Sequence, residues 1–414
     1  MPPRRKLASL WTAAFVFQDF SDDNVSAKDI LPSAALPATS RRKRILFTIV
    51  TVVLLGFFAE ASLQVFYRLS VGRWLWQWWA IPIFAPDPVR VYRVKANLDY
   101  LHRTSEFTAR YMTDALGLRA ERTSQPAPLI PKPDDTFRVL AFGPSFAFGW
   151  GVNYEDAYIH RIVEGLHAPG KRVELMNLGT PSQPIPYQLK WLKAVGYRYA
   201  PDLIVQTVYG EMQDMESDDT LPDVRPGVRN GYLYPSDKMT FSLWIRRMRT
   251  YSAALFYGWH AYHALLRSQT DSGDGREFYR KAGPANAGVD EVVHRYKRYL
   301  DFVGDATTNK PQVVFLFVPM AHVVRPSDVT RVAHHGALAS PNEVREKARL
   351  LTGALFTNHV NMINPTDVLV EHDKATRMYN LYDIHFTVAG NKVVADYSLP
   401  RIQDMLRDDR RGSP

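Results

Sequence analysis

The chain has 414 residues, 46% of them hydrophobic and 22% charged, a globular composition with room for a sizeable core that excludes a disordered or fibrous protein. There is no cysteine, which excludes disulfides, thiol nucleophiles and cysteine–metal sites together. The net charge of +9 is partly gathered in two N-terminal clusters, Arg4–Lys6 and Arg41–Arg44, without a nucleic-acid-binding motif, so nucleic acid is not an expected partner.

Residues 1–44 read as a cytoplasmic tail, in which Leu7–Phe17 has the apolar, aromatic make-up of a segment lying on a membrane surface. Residues 45–67 follow, with Glu60 as their one charged side chain. At a rise of about 1.5 Å per residue, some 20 residues cross the hydrocarbon core. The four basic residues ahead of this run, against Arg68 and Arg73 after it, predict a single-pass anchor in a bacterial inner membrane. The N-terminus is then cytoplasmic and the bulk of the chain extracytoplasmic. Glu60 is expected near the far interface, and Arg73–Trp79 resembles an interfacial aromatic belt. Ala59–Ala61 would also suit a signal peptidase, but more than forty residues before the apolar core favour an uncleaved anchor.

Residues 68–133 read as an interfacial stalk and a small β-containing lead-in, with Glu106–Thr113 extended and a proline-rich boundary at Gln125–Asp135. From 134 to 407 the pattern becomes regular. Apolar strand-like runs at 136–142, 173–178, 202–208 and 312–318 alternate with helix-period segments at 154–167, 185–200, 289–304, 342–356 and about 388–405. That alternation predicts an α/β fold, a doubly wound parallel sheet in a flavodoxin-like three-layer sandwich. Ligands are expected beyond the C-terminal ends of its strands. An insertion at about 215–285 breaks the alternation, with Asn230–Lys238 read as a loop and a helix around 240–267.

Ser145 follows the first strand of this domain, at the sheet edge where such folds bind ligands. A serine hydroxyl needs a base, and the base an orienting group. Asp383 and His385 supply that pair, two residues apart and just ahead of the last helix; in an extended segment both point to one side. His334, His335 and His372 lack a metal-ligand spacing, and no metal or other cofactor is expected. Glu211 and Asp214, with Glu216, Asp218 and Asp219, read as a solvated acidic loop.

Four stretches, in order, resemble the blocks of the SGNH/GDSL hydrolase superfamily in its membrane-anchored bacterial form. They are Phe142–Val152 around Ser145, Glu174–Pro184, Ala200–Asp214 and Tyr382–Asp396, and Tyr111–Glu121 is similar to a lead-in seen before many such domains. The resemblance implies Ser145 as nucleophile, His385 as base and Asp383 as its orienter. The second block's oxyanion donor falls at Ser182. Two positions depart from the pattern. Pro144 stands where the family has an aspartate, and Glu211 or Met212 stands where it has an asparagine oxyanion donor, with Gln213 a shifted substitute. The implied activity is that of a serine esterase or acyltransferase on O-acyl, above all O-acetyl, groups of a carbohydrate polymer. The departures leave open an alternative: an impaired member of the fold that binds or scaffolds envelope polysaccharide machinery.

Overall fold

The computed structural model describes residues 40–71, 74–75, 81–104, 106–210, 227–234, 248–249, 251–269, 287–326, 341–381 and 383–412. The chain divides into two compact units, residues 1–56 and 57–414. The described part of the first is the start of helix α1 (Arg41–Val71), whose large apolar side chains from Ile45 to Phe58 are exposed. Among the described residues α1 is the one helix long and apolar enough to cross a membrane.

In the second unit, β1 (Phe84–Asp87) and β2 (Val91–Val94) form an antiparallel pair. A three-stranded antiparallel sheet follows, of β3 (Asp99–Arg103), β4 (Thr108–Thr113) and β5 (Arg119–Ala120). Strand β4 alternates, with Ala109 and Tyr111 pointing inward and fully buried. One buried face and one wet face is the usual arrangement of a small antiparallel sheet.

The main sheet has five strands: β6 (Thr136–Phe142), β7 (Arg172–Asn177), β8 (Leu203–Gly210), β11 (Gln312–Pro319) and β12 (Met362–Ile363). They lie in the order β7-β6-β8-β11-β12, and every pairing is parallel. Every residue of β6 is buried, as expected of a strand covered on both faces. Its one charged side chain, Arg138, is fully occupied. It donates to Glu174 at 2.5 Å and to the Tyr199 carbonyl at 2.6 Å, while its backbone N–H donates to Asp202. In sheet order the chain leaves β6 first to one side and then to the other, so the crevice between β6 and β8 is the switch point of the fold.

Helices α2 (Ser145–Phe148), α3 (Tyr158–Gly165) and α4 (Ile185–Ala194) fall among the first three of these strands. Beyond β8 come the hairpin β9 (Gly227–Arg229) and β10 (Tyr232–Tyr234), then α5 (Ala253–Gln269), α6 (Ala287–Ala306), α7 (Ala321–Val324), α8 (Pro341–Thr357), α9 (Thr366–Asp373) and α10 (Val388–Gly412). The two-residue period of β6 divides the core. Phe137, Val139 and Ala141 pack with Tyr158, Ile159 and Ile162 of α3 and Ile402 of α10. Leu140 and Phe142 pack on the opposite face with Trp191 of α4, Tyr296 and Tyr299 of α6 and Leu355 of α8. The result is the α/β three-layer sandwich that the alternation predicts.

Several details differ from the sequence reading. Asn230–Gly231 is the two-residue turn of the β9–β10 hairpin, both residues at positive φ, so Tyr232–Tyr234 is strand, not loop. Helix α3 begins at Tyr158 because Asn153 and Tyr154 first close two turns through their carbonyls. Helix α4 stops at Ala194 and a 3-10 turn takes over at Gly196, which lies flat against the Trp191 ring. Strand β12, only two residues long, and helix α9 were not foreseen.

Candidate active site

Strand β6 delivers its last side chain to the switch point and the chain then turns through Gly143 and Pro144. Gly143 has φ 147° and no room for a side chain; a Cβ there would lie 2.6 Å from the Cβ of Thr207 and 2.8 Å from that of Ala147. Pro144, extended at φ −76°, is the N-cap of α2 and leaves Ser145 as its first residue. The second block closes over this turn. Asn177 donates to the Ala147 carbonyl at 2.9 Å and accepts from the Gly179 N–H, while the Thr180 N–H donates to the Gly143 carbonyl. A Cβ on Gly179 would fall 2.3 Å from the Phe148 nitrogen, so only glycine permits this approach.

The structure brings Ser145, Asp383 and His385 together across 240 residues of sequence. The Ser145 hydroxyl lies 2.6 Å from His385 Nε2. His385 Nδ1 bonds to Asp383 Oδ1, which also accepts the His385 backbone N–H at 3.0 Å. With Asp383 ionised, Nδ1 carries the ring proton and the Nε2 lone pair faces the serine. The segment is bent, not extended, and the backbone N–H bond to the carboxylate is what curls it. Both partners are 8% exposed, whereas Ser145 is only partly covered. The imidazole is held between aromatic rings, Phe146 at 4.7 Å and Trp150 at 5.5 Å between centroids.

A side chain that sequence reasoning missed supports this pair. Glu106, in the connection between β3 and β4, accepts the backbone N–H of Leu381 and, at 2.7 Å, that of Asp383. The same small sheet positions Trp150, whose indole N–H donates to Asp383 Oδ2 at 3.4 Å. Tyr111 accepts the Gly151 N–H at 2.9 Å and its hydroxyl is hydrogen-bonded to His102 Nδ1 at 3.0 Å, and His102 meets the Trp150 ring edge-on. Behind them the Arg119 guanidinium lies over the Tyr111 and Phe148 rings and donates to the carbonyls of Arg110 and Val152. Burial pulls its pKa down to about 10. No motif marks Glu106, and its neighbours in sequence carry no signal of these contacts.

Ser182 is exposed and has φ 60°, in the left-handed region that favours glycine. Gln213, Glu211 and Met212 lie outside the described residues, as do His334, His335 and the acidic run to Asp219. Among the described residues no group of three or more histidine and carboxylate side chains is placed to hold a metal ion.

No family model and no curated protein matches the chain. Solved structures that align with it include a member of the lipolytic G-D-S-L family from Veillonella parvula, at 11% identity and a TM-score of 0.35 over 64% of this chain and 97% of that one. A lipase/acylhydrolase from Enterococcus faecalis aligns at 12% identity and a TM-score of 0.33, over 65% and 96% of the two chains. A catalytic mutant of an acetylxylan esterase from Geobacillus stearothermophilus aligns at 11% and 0.33, over 64% and 94%. At such identities and scores these likenesses do not bear on what the chain does.

Proposed function

We propose that the chain is a membrane-anchored serine enzyme of the SGNH type that removes or transfers O-acyl groups, chiefly O-acetyl, on a carbohydrate polymer outside the bacterial inner membrane. The observation that carries the reading is the 2.6 Å contact between the Ser145 hydroxyl and His385 Nε2, with Asp383 on the other ring nitrogen. In the first half-reaction the Ser145 oxygen attacks the ester carbonyl while its proton passes to Nε2. The tetrahedral intermediate collapses as Nε2 returns that proton to the departing sugar oxygen, leaving the acyl group on Ser145. Water or a sugar hydroxyl then attacks the acyl-enzyme carbonyl as His385 takes its proton, and the second tetrahedral intermediate releases the acyl product as the Ser145 oxygen leaves and recovers that proton from Nε2. The backbone N–H groups of Ser145 and Ser182 would face the oxyanion, and Gln213 would replace the family's asparagine.

Hydrolysis of p-nitrophenyl acetate and of acetylated oligosaccharides by the full chain in detergent tests this, with covalent labelling of Ser145 by a fluorophosphonate. Product analysis with and without an unacetylated acceptor separates esterase from transferase. Equal turnover by the chain and by Ser145→Ala would remove the proposal. A second reading is favoured by one observation: Glu211 or Met212 occupies the asparagine position. An ionised carboxylate there would oppose an oxyanion, and the loss of one donor costs about 100- to 1000-fold in rate. On that reading the chain binds acylated glycan without turning it over, and isothermal titration would show binding where labelling of Ser145 fails.

A further inference from the structure

The carboxylate of Glu60 is the one charged group between Ile45 and Tyr67, and it has a full set of partners. Its Oε1 accepts the Ala253 N–H at 2.7 Å and Gln64 Nε2 at 2.8 Å; its Oε2 accepts the Ser252 hydroxyl at 2.9 Å and the Ala254 N–H at 3.0 Å. Gln64 also donates to the Tyr251 carbonyl at 2.8 Å. Glu60 therefore caps helix α5 from a neighbouring helix, satisfying N–H groups that have no partner within α5 and placing a negative charge at its positive end. The next turn of α5 packs further along α1, Phe256 against Tyr67 and Tyr257 against Phe66, with Tyr67 and Ala253 fully enclosed.

That packing uses one face of α5. The opposite face presents Leu255, Trp259 and Tyr262, 45%, 39% and 56% exposed, in line with the exposed Tyr251 ahead of the helix and with small residues between. The spacing of four, four and three makes this a single stripe. No exposed position in it is charged, an unusual outer surface for a helix in water. Arg249 lies 4.2 Å over the Trp259 ring, an arginine–aromatic pairing suited to the headgroup zone.

Depth decides the occupant. Glu60 lies fifteen residues beyond Ile45, about 22 Å along the helix at 1.5 Å per residue. The hydrocarbon core is about 30 Å thick. If α1 spans the bilayer, the start of α5 is held inside the outer leaflet by the same hydrogen bonds that satisfy Glu60. We propose that α5 is a second membrane-contacting element, its N-terminal turn among the acyl chains and its Leu255–Trp259–Tyr262 stripe running outward along lipid to the headgroups. The charge of Glu60 is tolerated at that depth because it is spent as a helix cap. This rests on reading α1 as a bilayer span.

The cysteine-free chain makes the test direct. Single cysteines replace Leu255, Tyr262, Val53 in α1 and Glu371 on the wet face of α9; each full-length variant carries an environment-sensitive fluorophore in phosphatidylcholine–phosphatidylglycerol vesicles. Nitroxide-labelled lipid and aqueous iodide are the two quenchers. The expected result is blue-shifted emission lost to nitroxide lipid at 53, 255 and 262, and emission lost to iodide at 371. Labels at 255 and 262 that behave like 371, while 53 is lipid-quenched, would overturn the role of α5 and keep the span. A label at 53 quenched by iodide would overturn the bilayer reading beneath it.

Discussion

Asp383 carries more of the site than its position as the remote member of a triad suggests. Its carboxylate takes the ring and backbone N–H groups of His385 and the indole N–H of Trp150, while its own N–H is held by Glu106. Hydrogen bonds to charged groups contribute about 1.5–3 kcal/mol each, and misplacing a catalytic group by about 1 Å costs on the order of 100-fold. Glu106→Ala should therefore lower ester turnover by roughly 10- to 100-fold at temperatures where the sandwich is still fully folded, whatever the fall in its unfolding midpoint. Glu106→Gln, which keeps an acceptor oxygen, should recover part of that loss; equal rates for the two variants would deny Glu106 a positioning role. Ser145→Ala should lower turnover by about 10⁴-fold or more and abolish fluorophosphonate labelling, and Asp383→Asn should cost about 10⁴-fold with the serine still present.

At the level of elements, the loop of the second block is locked to α2 by the contact of Gly179 with Phe148. Gly179→Ala forces two backbones apart, and overpacking of this kind costs about 1–3 kcal/mol, read as a fall in the denaturation midpoint together with lost activity. His322 in α7 is fully buried and its pKa is held below the ordinary 6.5 by burial. An unfolded chain takes up that proton at higher pH than the folded one, so the contribution is intact above about pH 6.5 and falls as pH drops through the unfolded value. Urea unfolding from pH 7.5 to 5 should show stability declining in acid, with a shallower decline in His322→Phe; identical slopes would assign the decline to other groups.

The elements were legible where chemistry and period agree. Continuous apolar runs marked β6, β8 and β11, and the order of the blocks pointed to Ser145, Asp383 and His385 before their contact was seen. Strand β12 was not legible because two residues hold no period, and its place comes from pairing with Phe315 and Leu316. Glu106 was not legible because its task is long-range: nothing local in an acid near a hairpin end shows that it meets backbone 277 residues later. The Asn230–Gly231 turn was legible and was passed over, since its strands are three residues each.

For the whole molecule, the proposed bilayer span rests on the length of α1 and its exposed apolar side chains, and three experiments test it. The chain should stay with the membrane fraction through an alkaline carbonate wash. Val53→Arg adds about 2.5–3.5 kcal/mol to insertion of the span and should release a share of the protein into the soluble fraction. Protease added to the outside of spheroplasts should digest the C-terminal unit and spare an N-terminal tag; loss of the tag with the C-terminal unit spared would reverse the orientation.

The small antiparallel sheet has a practical consequence. A natural place to cut a soluble fragment from this chain is the proline-rich stretch before Thr136, which would retain Ser145, Asp383 and His385. Such a fragment would discard Tyr111, Arg119 and Glu106, along with the Tyr92 carbonyl that Gln183 reaches at 2.7 Å. It would thus carry the reacting groups without the splint that sets them, and a working excision should start no later than Ile81.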